Sequence, residues 1–95
     1  MLSLQKIIDN IYIVAYEYPI TKAELFGSYA DGCSTPESDV DIIMEFNTPQ
    51  VSLLTLSSVK LRLEELLQTK VDVVHGPLPE DTILEINRRI PLYGA

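Results

Sequence analysis

Two aspartates stand two residues apart in the apolar run Asp39-Val40-Asp41-Ile42-Ile43-Met44, and that spacing constrains the fold more than any other feature of the chain. Side chains alternate sides along a strand. A strand over residues 39–46 therefore sends Val40, Ile42 and Met44 to one face and Asp39, Asp41 and Ile43 to the other. The apolar face demands a core, whereas the acidic face demands water or a cation. A second apolar segment, Lys70-Val71-Asp72-Val73-Val74-His75, reads as a strand rich in β-branched residues. Asp72 is costly there unless something pairs with it. If the two strands are neighbours, three carboxylates converge on one patch, and a bound cation is the usual relief of their repulsion.

The remaining pattern supplies cover for those strands. Leu4, Ile7, Ile8, Ile11, Val14 and Ala15 recur at helical spacing, so a first helix is expected over residues 3–16, with Ser3 as N-cap and Pro19 closing it. Residues 22–26 read as a short strand stopped by Gly27-Ser28, and residues 29–37 as turn chemistry, with Gly32, Ser34, Thr35 and Pro36. A second helix is expected over 52–68, burying Leu53, Leu56, Val59, Leu63, Leu66 and Leu67. Pro79, with Glu80 and Asp81 in the first turn, opens a last helix running to about Arg89, and Pro91 stops it. The expected architecture is α/β, or α+β in looser usage: a small mixed sheet of three or four strands with packed helices, formed by residues 1–95 as one domain.

Magnesium suits the acidic patch, because it prefers carboxylate oxygens together with water and substrate phosphates. Two magnesium ions about 4 Å apart would polarise an α-phosphate, help deprotonate an attacking hydroxyl and steady a leaving pyrophosphate. Gly27 lets the backbone approach phosphate oxygens, to which the local N–H groups and the Ser28 hydroxyl can donate.

Taken together, Leu25-Phe26-Gly27-Ser28-Tyr29-Ala30-Asp31-Gly32 and Ser38-Asp39-Val40-Asp41-Ile42 resemble the signature of the DNA polymerase β-like nucleotidyltransferase superfamily. Lys70-Val71-Asp72-Val73-Val74 and the ending Ile90-Pro91-Leu92-Tyr93 resemble its minimal branch, the MNT proteins. The resemblance implies a nucleotidyltransferase fold with Asp39 and Asp41 as catalytic metal ligands. It makes Asp72 the third carboxylate, both a metal ligand and the base for the attacking hydroxyl, and assigns Gly27 and Ser28 to the triphosphate. It further implies ATP as substrate and an antitoxin role, with AMP transferred to a tyrosine of a HEPN-domain toxin. The family loop carries basic residues after Gly-Ser, in a pattern like Gly-Ser-Arg-Ala-Arg-Gly, where this chain has Tyr29 and Asp31. Lys22, Lys60 and Arg62 are the candidates for the missing positive charge. A competing expectation is a binding module that neutralises its partner by contact alone.

Charge bears on partners. Fourteen acidic against seven basic residues give a net charge of -7, which argues against direct, non-specific binding of nucleic acid or of an anionic membrane surface. It leaves room for metal-screened nucleotides and for a basic protein partner, in a homo- or hetero-oligomer whose second member completes an open site. The N-terminus lacks an apolar signal core and no run approaches a membrane span, so a cytoplasmic protein is expected. Cys33 is the only cysteine, which excludes an internal disulfide and makes zinc and thiol chemistry poor readings. His75 reads as a packed or surface residue, Glu64 and Glu65 as a solvated helix face, and Tyr12, Tyr16 and Tyr18 as core and rim of the first helix.

Overall fold

The computed structural model describes residues 2–48, 50–77 and 89–94. In chain order these form α1 (Leu4–Glu17), β1 (Ile20–Phe26), α2 (Ser28–Asp31), β2 (Val40–Phe46), α3 (Leu53–Leu67), β3 (Val71–His75) and β4 (Ile90–Tyr93). The strands make one mixed sheet in the order β3-β2-β1-β4. β1 is antiparallel to both of its neighbours, whereas β2 and β3 run parallel with α3 as the crossover between them.

Alternation along β2 sets the layers. Val40, Ile42 and Met44 are fully buried in the core with Ile7, Ile11 and Val14 of α1 and with Val59, Leu63 and Leu67 of α3. Both long helices therefore cover one face of the sheet. Ile43 is also buried, but on the other face and outside that core, where its side chain closes on Gly76.

The N-caps follow the sequence. Ser3 accepts the Lys6 N–H at 3.1 Å and Ser52 accepts the Thr55 N–H at 3.1 Å, each satisfying one of the orphan donors of a first helical turn. Ser52→Ala should therefore cost about 1 kcal/mol and Ser52→Gly only a few tenths. Thermal melts followed by circular dichroism check this, and an unchanged midpoint for the alanine variant would show that the cap is idle.

Several expectations need correction. β1 begins at Ile20, two residues before the expected start, because Ile20 pairs with Phe46 directly after the α1 exit. The stretch expected as pure turn opens with the single helical turn α2, between Gly27 and a left-handed Gly32; four residues are too few to show a helical period. Leu53 was expected in the core but is 82 % exposed. It lies six residues before Val59, about 120° round the helix from the buried line. Tyr16, expected at the core or rim, is almost fully exposed, and Tyr12 meets Tyr93 edge to face at 5.0 Å. Glu64 is not merely solvated, because its carboxylate accepts the Val71 N–H at 3.0 Å on the outer edge of β3. Pro91 sits inside β4, opposite Glu24, on an edge strand that tolerates its missing donor. The helix expected from Pro79 lies outside the described residues. Among the described residues no helix is long and apolar enough to cross a membrane.

Candidate active site

Register brings the acids together. In the parallel β2–β3 ladder Asp41 stands directly opposite Asp72, and in the antiparallel β1–β2 ladder Phe26 stands opposite Asp41. Gly27 therefore leaves β1 beside Asp41. A Cβ on Gly27 would overlap the Asp41 Oδ2 and fall 3.1 Å from its Cγ. Only glycine fits there, both for that space and for the backbone at φ 75° and ψ -155°, a region other residues scarcely enter. Ser28 follows as the first residue of α2. Asp39 lies just ahead of β2, where Ser38 braces the approach by accepting the Thr35 N–H at 2.8 Å.

The electrostatics record the crowding. Asp41 has its carboxyl pushed above the usual value of 3.8, first by burial, then by the charges of Asp72 and Asp39, with hydrogen bonding to Asp72 adding to the effect. A half-buried carboxyl whose ionisation is further disfavoured by two neighbouring acids marks a site short of positive charge. As the side chains stand, no three acidic, histidine or cysteine residues among those described are gathered as a metal-holding group. The donor chemistry nevertheless fits magnesium, since the site offers only carboxylate oxygens, two of them paired across adjacent strands, beside a glycine turn open to phosphate.

A cleft of about 720 Å³ adjoins the carboxylates along the outer edge of β3. Asp39 and Asp72 form one wall, and Lys60, Glu64, Gln68 and Lys70 are among the residues that complete it. Lys60 is among the cations expected from the sequence, whereas Lys70 is not. The signal was present, because Lys70 and Asp72 are two apart and so share a face, as do Asp39 and Asp41. The other candidates for positive charge are engaged elsewhere. Lys22 pairs with Glu24 and Glu45, and Arg62 grips Glu17 through both Nε at 2.9 Å and Nη2 at 3.1 Å. Asp31 is exposed, while Tyr29 packs against the core. His75 meets Phe46 edge to face at 5.7 Å, at the opposite end of β3 from Lys70, and Cys33 is exposed.

Comparison with known proteins shows the family and the fold. A family model described as a nucleotidyltransferase domain matches residues 11–92. A Methanocaldococcus jannaschii protein assigned as a protein adenylyltransferase is 36 % identical over 88 residues, spanning 87 % of this chain and 92 % of that relative. A second protein of the same organism, with the same assignment, is 38 % identical over 81 residues, spanning 77 % of this chain and 79 % of its own length. Among solved structures, a chain in the crystal structure of a toxin–antitoxin with AMP-PNP superposes with a TM-score of 0.78 at 20 % identity, over 93 % of this chain and 73 % of that one. A chain in the complex of a tri-AMPylated Shewanella oneidensis HEPN toxin with its MNT antitoxin superposes at 0.73 and 18 % identity, over 98 % and 74 %. At such identities the superpositions establish the shared fold.

Proposed function

Because the chain belongs to the nucleotidyltransferase-domain family, we propose that it is a magnesium-dependent protein adenylyltransferase that moves AMP from ATP to a tyrosine hydroxyl of a HEPN-domain toxin, as the antitoxin of the pair. The observation that carries this reading is the juxtaposition of Asp41, Asp72 and Gly27 at one end of the sheet. Asp39, Asp41 and Asp72 are the residues that would hold magnesium. When bound there, magnesium supplies neutralising charge and polarises phosphate oxygens.

The chain's own groups divide the remaining work. Gly27 lets the backbone approach the phosphates, and the Ser28 hydroxyl donates to their oxygens. Asp72, exposed on β3, accepts the proton of the attacking hydroxyl. As the acceptor oxygen bonds to the α-phosphorus, the bond to pyrophosphate breaks and pyrophosphate departs with its electron pair. The site lies open along the sheet edge, and the toxin brings the acceptor to it. This reading places the chain in the cytoplasm, where ATP and a toxin partner are available.

The test is transfer of labelled AMP from ATP, with magnesium, onto the co-purified partner, comparing the native chain with Asp39→Asn. Label on the partner that falls roughly 10³-fold in the variant is the expected result. A partner that stays bound and silenced without label in either protein would instead establish neutralisation by contact alone.

A further inference from the structure

The loop after Gly27-Ser28 carries no cation, since Tyr29 packs on the core and Asp31 adds a negative charge at the surface. A polyphosphate chain bound beside three carboxylates needs positive charge from somewhere in the protein as well as from metal. Half of the described lysine and arginine side chains are already committed: Lys22 to Glu24 and Glu45, Arg62 to Glu17 and Glu65, and Arg89 to Glu24 at 3.4 Å. Lys6 lies on α1 outside the cleft. Lys60 and Lys70 are different. Both line the cleft that Asp39 and Asp72 border, and neither ammonium forms an ion pair or hydrogen bond with another described side chain.

The acids in that cleft have other work. Glu64 is held by the Val71 N–H, and Asp39 and Asp72 are assigned to the metal site. Beside Gln68 and Thr69, the remaining lining includes two ammonium-bearing residues, Lys60 from α3 and Lys70 just before β3. The cleft continues past Asp39 and Lys70 into a hollow of about 380 Å³ bounded by Pro36, Glu37 and Ser38. Strand order puts this space on the opposite flank of the carboxylates from Gly27, because β3 is the edge strand and β1 lies beyond β2.

From this we propose that Lys60 and Lys70 form a polyphosphate subsite, which holds the nucleotide from the β3 edge while Gly27 and Ser28 hold it from the β1 side. The inference rests on the adenylyltransferase reading for the identity of the nucleotide. Two ammoniums here replace the basic residues missing from the glycine-serine loop, and they take the charge that develops on the departing pyrophosphate.

Calorimetric titration of the full chain with magnesium and, separately, ATP, inorganic tripolyphosphate and AMP tests the proposal. Lys60→Gln and Lys70→Gln should each weaken ATP and tripolyphosphate binding about tenfold, as expected for loss of a charge-assisted contact. AMP binding should stay unchanged, and the effect should shrink as salt is raised. Lys70→Arg should retain most of the affinity. Unchanged ATP and tripolyphosphate binding in the double glutamine variant would overturn the subsite. So would an equal loss for AMP and ATP, or a defect confined to the KM of the protein acceptor. Failure of the two readings is separable. Lysine-dependent tripolyphosphate binding without any AMP transfer leaves this subsite standing and removes the adenylyltransferase reading; transfer with lysine-independent ATP affinity does the reverse.

Discussion

Asp41→Asn should all but abolish adenylyl transfer and, in the same protein, make the metal-free fold more stable at neutral pH. The two effects share one cause. Burial and the neighbouring charges of Asp72 and Asp39 raise the Asp41 carboxyl above its usual value, so the folded chain ionises it less readily than the unfolded chain does. The contribution of this group to stability is then fully present below the ordinary carboxyl pKa of 3.8 and is lost as the pH rises through the raised value. Asparagine has the same shape without the charge, so the variant loses that decline. Denaturant unfolding between about pH 4 and pH 8 without metal should show the stability of the variant gaining on that of the native chain as the pH rises. Added magnesium should recover stability for the native chain only, by binding the folded state. A variant less stable than the native chain at every pH would mean that the carboxylate is part of the structure and not a strained functional group.

Gly27→Ala should damage both the fold and the site. Its backbone, at φ 75° and ψ -155°, lies in a region that costs a residue bearing a Cβ about 1–3 kcal/mol. The new methyl would also displace the Asp41 carboxylate, which touches that position. A melting point lower by roughly 5–20 °C follows for a domain of this size, with a loss of transfer of roughly 10²-fold from the misplaced aspartate. Gly32 is the internal control. It too has a positive φ, 76°, but nothing lies within 4 Å of where its Cβ would be. Gly32→Ala should therefore cost only about 1–2 kcal/mol of left-handed strain and leave transfer intact. Equal effects at the two glycines would reduce the Gly27 argument to backbone strain alone.

The long helices and the strands of the βαβ unit were readable because their periods are local. Three- and four-residue spacing marked Ile7, Ile11 and Val14, and two-residue spacing separated Val40 and Ile42 from Asp41. Leu53 shows where that reading weakens, since a helix rich in leucine offers more apolar positions than one sheet face can cover. The α2 turn escaped notice because a single turn has no period, and β4 because Pro91 looked like a stop when it sits in an edge strand paired only with β1. Of the candidate site, the aspartates and Gly27-Ser28 were legible as residue types in a pattern.

Their meeting was not. Residue identity determined that this chain carries carboxylates suited to magnesium on strands with one apolar face, and that its glycine-serine loop lacks basic residues. The tertiary structure decided that Asp72 stands opposite Asp41, that Gly27 closes on the Asp41 carboxylate, and that Lys60 and Lys70 border the cleft while Lys22 and Arg62 are tied down elsewhere. The reason is physical. Side-chain alternation is a property of a single strand, whereas parallel register depends on how α3 packs as it crosses the sheet, and a charge becomes free or committed only when distant segments are brought within ångströms of one another.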